Sequence, residues 1–268
     1  MKLEVLTIGT ELLLGHTVDT NAAELGRALA AAGAEIVRRT TVPDRPDAIR
    51  AAVAEALDRT GFVITTGGLG PTRDDMTKTV VAELLEKRLV LDERLLASVE
   101  ERFKRMGRAM PAINRTQAEV PEGAAVLPNP RGTAPGLWVE DAHGRVVVLL
   151  PGVPREMRGL LIEHVLPRLV ERQAVSGARR VVASRTVRTT GVSESALAER
   201  VGEIESEIAP LTLAYLPSVE GVDLRVTAWG LEPRDADTRI AAALERLRVA
   251  ADGHAYGTDE TDLAAALL

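Results

Sequence analysis

The decisive stretch of this sequence reads Phe62-Val63-Ile64-Thr65-Thr66-Gly67-Gly68-Leu69-Gly70-Pro71-Thr72-Arg73-Asp74-Asp75-Met76-Thr77. It begins with β-branched and aromatic residues, which are typical of a buried strand. The apolar residues between Met76 and Leu85 then recur at the spacing of one helix face. The stretch therefore predicts a strand, a glycine loop and the start of a helix, in that order.

The composition of this glycine loop is typical of an anion site that also holds a cation. Glycines let backbone N–H groups approach an anion closely, and the start of a helix adds unpaired donors. Asp74 and Asp75 would repel a bare phosphate unless a divalent cation lay between them. We therefore expect a site for phosphate and a metal ion. The alternative is a tight turn whose aspartates cap the helix.

Two similar corners precede the loop. Predicted strands at Leu3–Ile8 and Ile36–Val42 are each followed by a polar turn and a helical pattern. This alternation predicts a mostly parallel sheet with helices on both sides. Because ligands bind at the carboxyl ends of the strands in such sheets, we expect the segments Gly9–Asn21, Val42–Arg45 and Gly67–Asp75 to form one site.

The second half of the chain predicts further elements and a second domain. A long connection, 110–136, contains five prolines and three glycines and is expected to be a functional loop. A hairpin over 137–150 ends at Gly152, whose corner could add backbone donors to the same site. The order of elements after it predicts a first domain of residues 1–173, a small α+β domain of residues 178–255 and a tail of residues 256–268.

The composition excludes several classes of protein and site. The net charge is −6 and there are two Trp, two Tyr and two Phe, which argues against nucleic-acid binding. Without cysteine there is no disulfide or thiolate site, and the four histidines lack metal-ligand spacing. The N-terminus lacks a signal-peptide pattern, and no apolar run approaches about 20 residues. We expect a cytoplasmic protein that does not bind membranes.

Several separated motifs resemble the competence/damage-inducible protein CinA family, and the glycine loop resembles the signature of the wider MoaB/MogA-like molybdopterin-binding superfamily. Besides residues 65–77, the motifs are Gly9-Thr10-Glu11-Leu12-Leu13-Leu14-Gly15, Asp19-Thr20-Asn21, Asn114-Arg115, Asn129-Pro130-Arg131-Gly132-Thr133-Ala134-Pro135-Gly136 and Leu150-Pro151-Gly152-Val153-Pro154-Arg155-Glu156-Met157. The resemblance implies an α/β fold: a three-layer α/β/α molybdopterin-binding-like domain with a mostly parallel sheet, then a small α+β domain of KH-like character.

The resemblance also implies an activity, hydrolysis of the pyrophosphate in ADP-ribose with a divalent cation, for which we expect Mg²⁺. The two functional aspartates of the superfamily fall on Asp44 and Asp75. Many members of the family carry a further C-terminal domain that deamidates nicotinamide mononucleotide. This sequence stops where that domain would begin, so we do not expect deamidase activity.

On this basis we expect Asp75, Asp44 and Glu11 to be catalytic, and Asp75 and Asp74 to be metal ligands. A solvated carboxylate at a helix start is an equal alternative for Glu11. The substrate is expected to contact loop glycines and polar side chains of the motifs: Gly9, Thr10, Asn21, Gly67, Gly68, Gly70, Thr72, Asn129, Arg131, Gly132, Gly136 and Gly152.

Two other functions stay open from the sequence. The loop could bind a pterin phosphate or a nucleotide without cleaving it, or the chain could be the remnant of a longer enzyme. The acidic pair Asp74–Asp75 favours the hydrolase, since a simple binder gains little from carboxylates near phosphate. We expect a nucleotide-type substrate, and we expect a homodimer because symmetric dimers are the commonest oligomers.

Overall fold

Internal contacts divide the chain into two units. The computed structural model describes residues 1–175 and 180–266. The first unit comprises Met1–Leu29 and Ile36–Glu171, and the second comprises Ala30–Glu35 and Arg172–Leu268. The predicted end of the first domain, at residue 173, lies close to this division. The predicted start of the second domain, at residue 178, lies outside the described residues.

Strands and helices alternate through the first unit, as the sequence pattern predicts. The strands are β1 (Lys2–Ile8), β2 (Glu35–Val42), β3 (Phe62–Thr66), β4 (Leu89–Leu91), β5 (Glu119–Pro121), β6 (Ala125–Leu127), β7 (Gly136–Glu140) and β8 (Val146–Leu150). The helices are α1 (Thr10–Leu13), α2 (Thr20–Ala31), α3 (Pro46–Thr60), α4 (Thr77–Leu84), α5 (Glu93–Arg105), α6 (Pro154–Leu160) and α7 (Leu166–Val175). A π-helical turn, Leu161–Val165, joins α6 to α7.

The central sheet has six strands and is mostly parallel around its middle, which confirms the predicted fold class. Its strand order is β2-β1-β3-β8-β7-β6. β3 lies parallel to β1 and to β8, with Thr65 opposite Leu6 and Thr66 opposite Leu150. β7 and β6 extend the sheet with antiparallel pairing, and β4 and β5 form a separate antiparallel pair.

The middle strands are covered on both faces, which explains their nearly continuous apolar sequences. All residues of β3 and β8 are buried. In β1 a charged residue, Glu4, interrupts the apolar sequence, and its carboxylate is fully buried. Its two oxygens accept hydrogen bonds from the guanidinium of Arg59 in α3, at 2.7 and 3.0 Å. This ion pair ties β1 to α3.

The connection 110–136 is more regular than its proline and glycine content predicts. It contains a 3₁₀ turn at Ala112–Ala118 as well as β5 and β6. Prolines are compatible with these strands because both lie at sheet edges, where a missing N–H breaks no ladder bond. The longest irregular part that remains is residues 128–135, which we name the 128–135 loop.

The second unit contains a four-stranded antiparallel sheet of order β10-β11-β9-β12, which confirms the predicted small α+β domain. Its elements are β9 (Val181–Thr189), α8 (Glu194–Glu207), β10 (Thr212–Pro217), β11 (Val222–Leu231), α9 (Pro233–Ala250), β12 (Ala255–Thr258) and α10 (Leu263–Ala266). Alternate residues of β11 pack with α8 and α9 in one core. Because β12 pairs with β9, residues 256–258 belong to this sheet and not to the predicted tail.

The length and apolar character of the helices decide whether any of them could cross a membrane. Among the described residues, no helix combines the length and the apolar character that crossing a bilayer requires.

Candidate functional site

The carboxyl ends of the parallel strands bring the predicted segments together. The Gly9 amide, just after β1, donates to the Val42 carbonyl at the end of β2, at 3.1 Å. The Gly67 amide, just after β3, donates to the Leu150 carbonyl at the end of β8, at 3.0 Å. A Cβ placed on Gly152 would lie 3.4 Å from the Cα of Gly67. The predicted convergence of the crossover corners is therefore observed.

Two glycines of the loop adopt backbone conformations that other residues rarely take. Gly67 has φ +111°, and a Cβ there would lie 2.1 Å from the carbonyl oxygen of Ile8. Gly68 has φ +66°, and a Cβ there would lie 2.2 Å from the hydroxyl oxygen of Thr77. The buried Thr77 donates to the Gly67 carbonyl at 3.0 Å. The loop is thus pressed between the end of β1 and the start of α4.

Part of the loop backbone is available to an anion. The Gly67 amide is used by β8, and the Thr72 amide donates to the Asp75 carboxylate at 2.9 Å. The N–H groups of residues 68–70 have no acceptor within the described part of the chain. The predicted phosphate cradle over Gly67–Thr72 is therefore narrowed to three consecutive N–H groups, which we name the 68–70 amides.

Asp75 is held by the loop and does not cap α4. Its Oδ2 accepts hydrogen bonds from the backbone N–H of Thr72, at 2.9 Å, and from the Thr72 hydroxyl, at 2.5 Å. The cap residue of α4 is Met76, which makes no side-chain cap bond. A Cβ on Gly70 would lie 2.4 Å from Asp75 Oδ2, so the carboxylate needs a glycine there. Hydrogen bonding from the Thr72 side chain also holds the pKa of Asp74 below its ordinary value.

Asp44 is held in the same manner on the other side of β1. Its Oδ2 accepts hydrogen bonds from the backbone N–H of Thr10, at 2.7 Å, and from the Thr10 hydroxyl, at 3.0 Å. In Asp44 and Asp75 alike, Oδ1 accepts no hydrogen bond from the residues that the structure describes. Because β1 lies between β2 and β3, these two threonine-bound carboxylates flank its end.

A small cavity of about 110 Å³ lies at the same edge, and Glu11, Asn21, Thr66 and Gly152 are among its lining residues. Asn21 is 9% exposed, and its Nδ2 donates to the Thr66 hydroxyl at 3.0 Å and to the Gly152 carbonyl at 2.8 Å. The Thr66 hydroxyl donates its own proton to Pro151, so it can only accept from Asn21, which fixes the orientation of the amide. Asn21 Oδ1 is therefore a buried acceptor without a donor among the described residues.

The acidic residues of this edge do not form a ready-made metal cage. Glu11 folds back over Gly9, where a Cβ would lie 2.6 Å from Glu11 Oε1. In the described ranges, no group of three or more His, Cys, Asp or Glu is placed to hold a metal ion. The carboxylate oxygens of Asp74 and Asp75 are nevertheless the hard ligands that Mg²⁺ prefers, and Mg²⁺ commonly combines one or two carboxylates with substrate phosphates. The donor chemistry of this edge therefore fits Mg²⁺.

The predicted ligand residues of the 128–135 loop serve the structure of the loop itself. Asn129 Nδ2 donates to Glu156 Oε2 at 2.6 Å, and its Oδ1 accepts from the amides of Arg131 and Gly132. The Arg131 guanidinium forms a two-pronged ion pair with Glu163. A Cβ on Gly132 would collide with the Glu156 carboxylate, at 1.8 Å. These polar groups are therefore already used inside the protein.

Gly136, also predicted to bind substrate, is buried at the start of β7. Three residues at this edge were not predicted as site residues: Thr66, Glu156 and Lys78. The Lys78 ammonium, in the first turn of α4, donates to the Thr116 carbonyl. Burial lowers the pKa of Lys78 to about 8, although Glu119 opposes the shift. Thr66 and Glu156 lie within quoted motifs, whereas no sequence pattern pointed to Lys78.

The two domains match two sequence families. Residues 4–171 match the family described as probable molybdopterin binding domain, and residues 184–257 match the family described as damage-inducible protein CinA KH domain. Among curated relatives, a CinA-like protein of Gemmatimonas aurantiaca is 52% identical over 100% of this chain and 62% of its own length. A CinA-like protein of Gloeobacter violaceus is 45% identical over 98% of this chain and 61% of its own length.

The chain thus spans about three-fifths of the length of these curated relatives. Among solved structures, the protein CinA with unknown function from Thermoplasma acidophilum is 38% identical, with a TM-score of 0.57, over 63% of this chain and 97% of that chain. These matches confirm the resemblance that the sequence motifs indicate. The chain belongs to the CinA-like protein family, with a domain of the molybdopterin-binding type followed by a CinA KH domain.

Proposed function

We propose that this chain hydrolyses the pyrophosphate bond of ADP-ribose, or of a related nucleoside diphosphate sugar, with a divalent cation. The observation that carries the proposal is the pair of threonine-bound aspartates, Asp44 and Asp75, which flank the end of β1 beside the 68–70 amides. Backbone amides suit a diphosphate. Carboxylates beside a diphosphate become useful when a cation or an attacking water must be held. Their combination favours catalysis over simple binding.

Asp75 and Asp74 would hold the Mg²⁺ ion through their carboxylate oxygens. When bound, the ion neutralises charge on the phosphate oxygens and lowers the pKa of a coordinated water. Thr72 orients Asp75 Oδ2 through its backbone N–H and its hydroxyl, and the pKa of Asp74 lies below its ordinary value. Asp44 offers its unbonded Oδ1 to orient the attacking water and to accept its proton. Glu11, which lines the neighbouring cavity, is the other candidate for that role.

Asn21 supports a sugar as part of the ligand. Its Oδ1 lacks a donor, and an unsatisfied buried acceptor costs about 1–3 kcal/mol. A ribose hydroxyl is a donor of the right kind. The cavity that Asn21 lines, about 110 Å³, is several times larger than the roughly 10–15 Å³ that one water needs. It therefore has room for part of a sugar ring.

The family description favours one second candidate, binding of molybdopterin or a nucleotide without cleavage. The same 68–70 amides would hold the phosphate in that case. In the described residues no acidic cluster is assembled in advance of a ligand, which fits a binder as well as an enzyme that recruits its metal with its substrate.

We do not propose nucleic acid as a ligand, although the second domain matches a KH family. KH domains clamp the nucleic-acid backbone with a G-x-x-G loop. Residues 184–257 contain no G-x-x-G sequence. The net charge of −6 also disfavours a phosphate backbone as a partner.

The test is incubation with ADP-ribose and Mg²⁺, followed by chromatography of the products. We expect AMP and ribose 5-phosphate, formed by addition of one water across the P–O–P bond, no products with EDTA, and about 100-fold slower product formation in Asp75→Asn. The matched control is Asp47→Asn, an exposed aspartate in the first turn of α3, which should leave the rate unchanged. Intact ADP-ribose that binds tightly would support the binding protein, and absence of ADP-ribose binding would overturn the hydrolase proposal.

We also propose a homodimer and a cytoplasmic location. The dimer rests on the base rate of symmetric pairs, and the location rests on the cysteine-free sequence, which fits a reducing compartment. Light scattering after size exclusion should give twice the mass of the chain, and a monomer at micromolar concentration would contradict the first proposal.

A further inference from the structure

A second and larger cavity, of about 610 Å³, lies within the first unit. It is an open cavity lined by α5, the 128–135 loop and the π-helical turn Leu161–Val165. Its volume falls in the range of small-molecule pockets, roughly 300–1,000 Å³. Asp44, Asp75 and the 68–70 amides are not among its lining residues, so it is a different place from the glycine-loop site.

One face of α5 supplies this cavity with cations. Arg94, Ser98, Arg102 and Arg105 recur at spacings of four, four and three residues, which places them on one side of the helix. All of them line the cavity. Arg102 has a structural task, because its guanidinium donates to two carbonyls of the 128–135 loop, at 2.8 and 2.7 Å.

The other two arginines have no such task. Within the described part of the chain, the side chains of Arg94 and Arg105 form no ion pair or hydrogen bond. A basic residue in the last turn, such as Arg105, is favoured by the helix dipole, but Arg94 lies in the first turn, where the dipole is positive and disfavours it. Helix stability therefore does not explain Arg94.

Of the acidic residues of the cavity, Glu163 is paired with a cation and Asp92 is hydrogen-bonded to the start of α5. Asp92 Oδ1 accepts hydrogen bonds from the backbone N–H groups of Arg94 and Leu95, which caps α5. Glu163 is paired with Arg131, which holds the pKa of Glu163 below its ordinary value. The cavity therefore keeps a surplus of positive charge that an anionic ligand would balance.

The remaining walls are largely apolar. They are formed by side chains of α5, of β6 and of the 128–135 loop: Leu95, Val99, Val126, Pro128 and Pro135. Such walls suit a planar ring, whereas free arginines suit a phosphate. His164 completes the lining from the π-helical turn, a kind of distortion that often accompanies functional sites.

We propose that this cavity is a nucleotide-binding site, in which Arg94 and Arg105 contact the phosphate and the proline-lined wall contacts the base. The site does not depend on the proposed hydrolysis. Asn129, in the loop that forms one wall, is bonded to Glu156 in the first turn of α6, shortly after Gly152. A nucleotide in the cavity would therefore steady the corner that borders the glycine loop.

The test is calorimetric titration of the whole chain with AMP in EDTA, so that no divalent cation assists binding elsewhere. We expect the double variant R94A/R105A to bind AMP at least tenfold more weakly. The matched control is Lys104→Ala, a cation on α5 that does not line the cavity and should leave the affinity unchanged.

Two further readouts separate the outcomes. Hydrogen exchange should slow on AMP binding at residues 94–105 and 126–135, and protection confined to residues 67–75 would overturn the proposal. Adenosine should bind at least tenfold more weakly than AMP, which reports the phosphate contact. Inorganic phosphate that binds as tightly as AMP would overturn the base contact, and equal AMP affinity in R94A/R105A would show that the arginines are a solvated face.

Discussion

The glycine loop after β3 and the 128–135 loop look alike in sequence, since each combines glycine, proline and polar residues in a motif typical of ligand binding. The polar groups of the two loops have different hydrogen-bond partners. In the glycine loop, the 68–70 amides and one oxygen of Asp75 have no partner in the described residues. In the 128–135 loop, Asn129 and Arg131 are bonded to Glu156 and Glu163. A motif of this kind therefore indicates function only where its polar groups remain available.

The largest expected effect is the loss of stability when a Cβ is added at a glycine that lies against backbone atoms. Gly67→Ala should lower the free energy of unfolding by about 3 kcal/mol or more, because a positive φ and a backbone carbonyl oppose the new Cβ. Gly132→Ala should lower it by less, because the opposing Glu156 carboxylate is the end of a flexible side chain. Urea denaturation of both variants measures the difference. Equal losses would remove this contrast between the loops.

The next prediction contrasts a variant that should lose activity with a variant that should lose stability. Asp75→Asn should lower the rate of ADP-ribose hydrolysis about 100-fold while changing the free energy of unfolding by less than about 1 kcal/mol. Asn129→Ala should do the reverse, because it removes hydrogen bonds to partly buried partners, at a cost of about 1 kcal/mol each. Kinetics and denaturation of the same preparations test both. Full activity in Asp75→Asn would remove that residue from the mechanism.

A smaller effect on stability is expected at alkaline pH from Lys78, in the first turn of α4 after the glycine loop. Burial lowers the pKa of Lys78 to about 8 from 10.5, so the unfolded chain binds more protons between these values. The stability of the protein should therefore rise with pH across this window. Lys78→Met should flatten the rise, as measured by denaturation at a series of pH values. An unchanged slope in the variant would show that Lys78 titrates normally.

The smallest effect on stability is expected at acidic pH, from the ion pair between Arg131 of the 128–135 loop and Glu163. Hydrogen bonding from Arg131 holds the pKa of Glu163 below its ordinary 4.5. The contribution of this pair is complete above pH 4.5 and is lost as the pH falls through the lower folded-state pKa. Glu163→Gln should reduce the fall in melting temperature over that range. Lys104→Ala, on the neighbouring helix, should leave the fall unchanged.

The order of the elements and the meeting of the corners were predictable because local patterns determine them. β-branched runs followed by glycine and a helical period are sufficient to predict β3, its loop and α4. The partners of the side chains were not predictable. Asn129 meets Glu156 across 27 residues of sequence and Arg131 meets Glu163 across 32, and no local spacing shows these pairings.

The edge strands β6 and β12 were also not predictable from the sequence. β6 and β12 are short and lie beside prolines or glycines, so their local pattern resembles a loop. They form because the sheets beside them offer unpaired backbone groups. Such strands are decided by tertiary pairing and leave little trace in the residues themselves.

The buried Glu4 has a consequence for the whole ligand-binding edge. Residues on a strand face alternate sides, so sliding β1 by one position would turn this carboxylate to the opposite face and away from Arg59. A bare charge would then stand among apolar side chains, which is strongly unfavourable. The ion pair thus selects the single alignment in which Ile8 meets Gly67, and a contact at one end of the strand sets the position of the anion site at the other.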